Sequence, residues 1–322
     1  MSDTLLSVGT MPLTRFGLMM GAALLVLLLG AVPVARMRRM AYSAFIRMAV
    51  VCIPMSWLLS RLVYVLANCT YYLTTLSNPV LALRFWDGGY SVTGAILGLW
   101  LGALVASKWA HVDTADMLDA VSYGIPLGLL VERLSESGTG MGLGRAITYE
   151  CLYFLGIDDD MGDLVHPVYR YEAVIAVIIF LVLTVLLLRR RDRLPKGDIT
   201  LVLMSLLGTT QAVMESLRND GHMVVHFVRI QQVIFLLLAV IAFGIYLHRA
   251  VKKGCVQKNM QWVLWLVAVA CIAVCTVMEF RVDRGSLKWL YYAVMTLCLG
   301  VIVFMTMHCR NLSQKWHGKQ QA

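Results

Sequence analysis

The sequence predicts an all-α fold, a polytopic membrane helix bundle of about nine transmembrane helices with the N-terminus out and the C-terminus in. Three observations predict it. Hydrophobic residues make up 59% of the 322 and charged residues only 15%, where soluble domains carry about 45–50% and ~25%; the mean hydropathy is +0.74. The apolar residues are gathered into runs of the ~20 residues that a bilayer core requires. Lysine and arginine collect in alternate loops, the pattern that orients membrane proteins.

Taken in order, the runs fall near 16–34, 43–66, 92–110, 117–131, 167–188, 199–217, 230–248, 262–280 and 287–308. Each must be helical within the membrane, because hydrocarbon offers no partner to an open sheet edge. The fourth run is short and ends in Glu132 and Arg133. The first is followed by arginines and not by a small-residue cleavage site, so it reads as a span and not as a cleavable leader.

Orientation follows from the loops. Arg36, Arg38 and Arg39 follow the first span; Arg189, Arg190, Arg191, Arg193 and Lys196 follow the fifth. Arg249, Lys252, Lys253 and Lys258 follow the seventh, and Arg310, Lys315 and Lys319 form the tail. With nine spans all of these fall on one side, which the positive-inside rule makes cytoplasmic. The same placement accounts for the formal net charge of +9 and removes the nucleic-acid reading it invites. The opposite loops are poorer in cations, and one carries Asp158, Asp159 and Asp160.

The eight cysteines include no C-x-x-C pair and suggest no metal site. Cys52, Cys271, Cys275 and Cys298 lie in apolar runs and read as small buried hydrophobes. Cys69 and Cys151 fall in outer loops, where a pairing is open. The loop after the fourth run contains GTGMGLGR, Gly138 to Arg145. Such a loop either presents backbone N–H groups to a phosphate or is irregular chain at the membrane surface. The 19 methionines read as membrane packing.

Ionisable residues concentrate at one end of the spans. Arg61 lies in the outer half of the second, Arg133 closes the fourth, and His166, Arg170 and Glu172 open the fifth. Glu215 and Arg218 close the sixth; Arg229, Gln231 and Gln232 open the seventh. An ionisable group inside a membrane costs about 2.5–3.5 kcal/mol on insertion scales, so it usually faces a partner or a wet cavity. Any one of these residues is explained by snorkelling or a helix–helix ion pair. The set reads as a pocket for an anionic headgroup, since the guanidinium fork matches a phosphate.

At these residues the chain resembles the bacterial prolipoprotein diacylglyceryl transferase family, over about residues 13–245. RFGLM from Arg15 resembles the entry to the family's first span. Ser60 to Leu66, Tyr71 to Leu73 and Asn78-Pro79 resemble the second span and its exit. Leu83 to Gly98 resembles the W-x-G-G-x-S-x-H-G-G block, and Pro126 to Arg133 the approach to the signature loop. His166-Pro167 with Tyr171-Glu172 matches H-P-x-x-x-Y-E, while Pro195-x-Gly197 and Glu215-x-x-Arg218 resemble the sixth span. Four positions depart from the pattern. Thr93 replaces the histidine of the third block and Phe16 a tyrosine. Glu136 stands in place of the asparagine of R-x-G-N, and Gln211 in place of an arginine.

The resemblance implies a membrane enzyme that moves diacylglyceryl from phosphatidylglycerol to the lipobox cysteine thiol of a preprolipoprotein, releasing glycerol phosphate. It also implies a multi-pass protein of the bacterial plasma (inner) membrane with its active face outward and no cofactor. The catalytic candidates are His166 as base, with Glu172 and Glu215 as orienting carboxylates. Arg61, Arg133 and Arg218 are the phosphate-binding candidates, and Tyr171, Gln231 and Gln232 complete the pocket. The transferase-like seven-span core covers 1–250, and 251–322 is a two-span extension with a cytoplasmic tail. The four departures also leave open an inactive lipid- or lipoprotein-binding protein on the same fold.

Overall fold

The structure, a computed structural model, describes residues 4–8, 11–75, 84, 88–189, 194–219, 223–225, 228–285 and 287–320. Asn78, Pro79, Leu83, Trp86, Asp87, Arg190, Arg191 and Arg193 lie outside the described residues, as do the side chains of Phe16, Lys315 and Lys319.

Nine long helices are present among the described residues, and they match the nine apolar runs in order. They are α1 (Arg15–Met37), α2 (Tyr42–Ala67), α3 (Val92–Ala110), α4 (Thr114–Ser135), α5 (Val168–Arg189), α6 (Asp198–Leu217), α7 (Ile230–Lys252), α8 (Lys258–Arg284) and α9 (Lys288–Gln320). Eight are long and apolar enough to cross a membrane; α4 is not among them. The protein is a multi-span, all-α membrane protein. Short strands occur only outside these helices: the hairpin β1 (Thr4–Val8) and β2 (Met11–Thr14), then β3 (Leu143–Ala146), β4 (Ile157–Asp158), β5 (Leu164–Pro167), β6 (Val224–Val225) and β7 (Val228–Arg229).

The chain forms two compact units, residues 1–200 with 217–231, and residues 201–216 with 232–322. In the first, α4 is the inner helix. Its middle and both charged ends are buried, including Asp116, Asp119, Glu132 and Arg133. That burial explains how a helix with four ionisable residues is tolerated: other helices stand between it and lipid. Gly124 lets it touch α1, where a Cβ would lie 2.1 Å from Leu27 O. In the same way Gly98 of α3 sits against α2, where a Cβ would lie 2.4 Å from Met55 O. Small residues permit this close backbone approach between membrane helices.

The start of α4 is held by its own network. Asp119 accepts from Gly197 N at 2.9 Å, Thr200 N at 3.0 Å, Thr200 Oγ1 at 3.0 Å and Arg38 Nη2 at 3.2 Å. Arg38 also donates to Leu194 O and Pro195 O. A fully buried carboxylate is thereby fully hydrogen-bonded, and the ends of α1, α4 and the α5–α6 connection are joined. In the second unit, Gln232 of α7 donates to Ala212 O at 3.0 Å and to Glu279 of α8 at 3.1 Å. There Tyr292 of α9 donates to Ser216 O at 3.1 Å, and Phe243 packs edge-on against Trp265 with centroids 5.2 Å apart.

Cys69 and Cys151 are both exposed free thiols, so the open pairing between them is not formed. Of the four cysteines expected to be buried, Cys52 and Cys275 are, while Cys271 and Cys298 are only half-buried.

Candidate functional site

The site is built where α4 ends and α5 begins. Glu132 and Arg133 occupy the last turn of α4, Glu136 caps it, and Glu172 lies in the first turn and a half of α5. Arg218 follows α6 and is placed by its backbone. It bridges to Gly144 on β3, Asn219 N donates to Leu143 O at 2.9 Å, and Arg229 Nη2 donates to Arg218 O at 2.6 Å. The strand β3 pairs with β5, and β5 with β4, in an antiparallel sheet spanning the connection between α4 and α5. Strands of two to four residues are too short to leave a periodic signal, and the sequence reading did not contain them.

Two guanidiniums and three carboxylates meet here, all nearly cut off from solvent. Arg133 Nη1 donates to Glu136 Oε1 at 2.9 Å, and Arg133 Nε lies 3.2 Å from Glu172 Oε2 and 3.5 Å from Glu132 Oε2. Arg218 Nη1 donates to Glu172 Oε2 at 2.9 Å, and its Nη2 to Glu136 Oε1 at 3.1 Å. Each guanidinium therefore contacts both Glu136 and Glu172. The carboxylate at 136, a departure from the resembled family, is an ion-pair partner of both arginines. The glycine-rich loop makes room for it. Gly142 has φ +69°, and a Cβ there would stand 2.1 Å from Glu136 Oε2. Its carbonyl accepts from Tyr169 N at 3.1 Å, fixing the loop onto the start of α5.

One donor is left over. Arg133 Nη2 is buried and has no hydrogen-bond partner among the described residues. Arg133 lines a cavity of about 80 Å³ together with Glu132, Glu136, Arg218 and Gln231. Gln231 Oε1 is likewise buried without a partner among the described residues. A second cavity, about 420 Å³ and largely apolar, lies among α1, α2, α3 and α4. The two share Met20, Ser60, Tyr90, Val92, Ala95 and Glu132 in their walls. A greasy chamber thus adjoins a charged one, the arrangement an amphipath with an anionic head would fit. The larger volume falls within the roughly 300–1,000 Å³ of ligand pockets.

The sequence-derived candidates separate on this geometry. Arg133, Arg218, Glu172 and Gln231 come together, the first two and the last lining the smaller cavity. Arg61 is also buried, but its Nη1 donates to Gly88 O and Gly89 O, and its guanidinium lies over the Tyr64 and Tyr72 rings at 5.9 and 5.7 Å. It clamps the chain leading into α3. His166, half-buried on β5, has Nδ1 3.1 Å from the Tyr171 hydroxyl; burial pushes its pKa below the ordinary value. Glu215 is buried and belongs to the second unit, as does Gln232. Thr93 is buried, with Oγ1 2.7 Å from Ser91 Oγ, which in turn caps α3 by accepting from Gly94 N at 3.1 Å.

Glu132 and Glu136 are the site residues that sequence reasoning did not select. Both were visible, one as the charge closing a short span and one as a family departure. Only the fold reveals that they converge on the same two arginines.

A family model described as prolipoprotein diacylglyceryl transferase matches residues 3–248. A phosphatidylglycerol–prolipoprotein diacylglyceryl transferase of Listeria monocytogenes serotype 4a is 25% identical over 256 residues, covering 77% of this chain and 90% of that protein. Proteins of the same name from Bacillus velezensis and Bacillus licheniformis are 26% and 25% identical, each covering 76% of this chain and 90% and 92% of their own lengths. The chain belongs to the prolipoprotein diacylglyceryl transferase family.

Proposed function

We propose that this protein transfers diacylglyceryl from phosphatidylglycerol to the lipobox cysteine of a preprolipoprotein. The observation that carries the reading is Arg133, whose Nη2 is buried without a hydrogen-bond partner among the described residues, in the wall of a charged cavity that shares lining residues with an apolar one. The apolar chamber takes acyl chain, and Arg133 and Arg218 hold the phosphate. A buried donor without a partner costs about 1–3 kcal/mol, so a phosphate oxygen that satisfies it gains affinity. Phosphate held by fixed guanidiniums is also stabilised as negative charge develops on the leaving oxygen.

The alternation of basic loops supports an outer-leaflet location for this end of α4 and α5 in a bacterial plasma membrane, where a secreted preprolipoprotein presents its cysteine. We assign the transfer machinery to residues 1–250 and regard 251–322 as an extension.

Purified protein in nanodiscs containing phosphatidylglycerol, given a lipobox peptide, should form a thioether-linked diacylglyceryl peptide and release glycerol phosphate in equal amount. Absence of both products, with the peptide accessible and the protein folded, refutes the reading.

A further inference from the structure

The proposed transfer needs a proton acceptor for the thiol, because the thiolate and not the thiol is the nucleophile. On one side the smaller cavity offers only neutral groups. Ser60 Oγ donates to Ser91 O at 2.8 Å, and Ser91 Oγ is engaged with Thr93; neutral hydroxyls are far too weakly basic to take a thiol proton. His166 is not in the cavity wall, and its Nδ1 is occupied by Tyr171.

The carboxylates differ in how their oxygens are used. Glu136 accepts from Arg133 and from Arg218, the latter through both of its oxygens. Glu172 is held by both guanidiniums and is not in the cavity wall. Glu132 is different. Its Oε2 lies 3.5 Å from Arg133 Nε, beyond close pairing, and accepts no hydrogen bond among the described residues. It lines both cavities, at the seam where an acyl-bearing glycerol would meet its phosphate. It is also the surplus carboxylate, since three face two guanidiniums.

We infer that Glu132 is the proton acceptor of the transfer, an inference that rests on the function proposed above. The acceptor S–H gives its proton to a Glu132 oxygen. The thiolate forms a C–S bond to the glycerol carbon that bears the phosphate ester, and the C–O bond to phosphate breaks. Its electron pair leaves with the glycerol phosphate oxygen, which takes the proton back from Glu132. The carboxylate ends each cycle as it began, and no redox change occurs.

The test is Glu132→Gln in the full chain, in phosphatidylglycerol nanodiscs with a lipobox peptide. Thioether formation is followed against pH, and bound phosphatidylglycerol is measured by native mass spectrometry. Loss of a general base lowers rates on the order of 10²–10⁴-fold. Glu132→Gln should show that loss with lipid still bound, its residual rate climbing with pH as the thiol ionises near ~8.5. A Glu132→Gln rate within threefold of wild type overturns the inference and leaves the proposed function standing; a wild type that forms no thioether overturns the function itself. Should Glu132→Gln not fold, Glu132→Asp decides: a shifted acid limb in the rate–pH profile supports the inference, and an unchanged limb overturns it.

Discussion

Arg218 Nη1 donates to Glu172 Oε2 at 2.9 Å with both side chains almost wholly removed from solvent. The same carboxylate oxygen lies 3.2 Å from Arg133 Nε. Glu172 is therefore the point at which two arginines from separate segments are tied together, and the cavity wall they form depends on it.

Removing that tie takes from both buried guanidiniums the carboxylate they share, leaving Glu136 as their remaining close partner. Breaking a buried pair from one side costs about 3–5 kcal/mol, so Glu172→Ala should unfold markedly earlier than wild type in detergent, read by thermal denaturation. Transfer activity should be lost with it. Arg218→Lys should fold better than Arg218→Ala yet remain inactive, because an ammonium cannot contact Glu136 and Glu172 together as the planar fork does.

Gly142 is required for two reasons, its φ of +69° and the 2.1 Å approach of a Cβ to Glu136 Oε2. Gly142→Ala should displace Glu136 and reduce transfer at least tenfold. Gly138→Ala is the control. Its φ is +76° but the space around it is open, so the expected cost is left-handed backbone strain alone, about 1–2 kcal/mol, with activity retained. The pair of variants, compared by rate and melting temperature, separates packing against Glu136 from loop conformation.

At the other end of α4, Asp119→Ala removes the acceptor of four hydrogen bonds. It should destabilise by on the order of 2–5 kcal/mol, because Gly197 N, Thr200 N and Thr200 Oγ1 lose their buried acceptor at about 1–3 kcal/mol each, while Arg38 keeps Asp116 at 3.2 Å. Lys196 pairs with Asp113 at 2.9 Å, but both are exposed. Lys196→Ala should cost only ~0–1 kcal/mol, as exposed ion pairs do. Equal effects from the two variants would contradict the inner placement of α4.

His166 gives a pH dependence of definite sign. Burial lowers its pKa in the folded protein, so the unfolded chain binds the proton more readily. Its contribution to stability is complete above its ordinary value near 6.5 and is lost as pH falls through the lowered folded value. Melting temperatures recorded from pH 7.5 down to 5 should fall less steeply for His166→Gln than for wild type.

Much of the fold was legible because a membrane span announces itself: all nine apolar runs are helices. The inner character of α4 was not, since its shortness and its terminal charges gave no hint that Asp119 would meet Arg38 and Thr200. Arginines within apolar runs were conspicuous, and for Arg133 and Arg218 the expectation of a shared location agrees with their common carboxylates. Arg61 carried the same signal but turns to backbone carbonyls and two tyrosine rings, a choice set by how residues 88–89 fold over α2. The sequence likewise drew attention to His166 and not to Glu132. Which oxygens remain unoccupied inside an ion cluster depends on angles no linear pattern records.

In the proposed transfer, Arg133 offers its Nη2 to a lipid phosphate. An electron cryomicroscopy structure of the protein in phosphatidylglycerol nanodiscs tests it most directly. Phosphate density should lie at a charge-assisted hydrogen-bond distance of about 2.7–2.9 Å from Arg133 Nη2, with acyl density running into the chamber among α1–α4. Lipid ordered elsewhere, with the charged cavity closed by protein side chains, would contradict it.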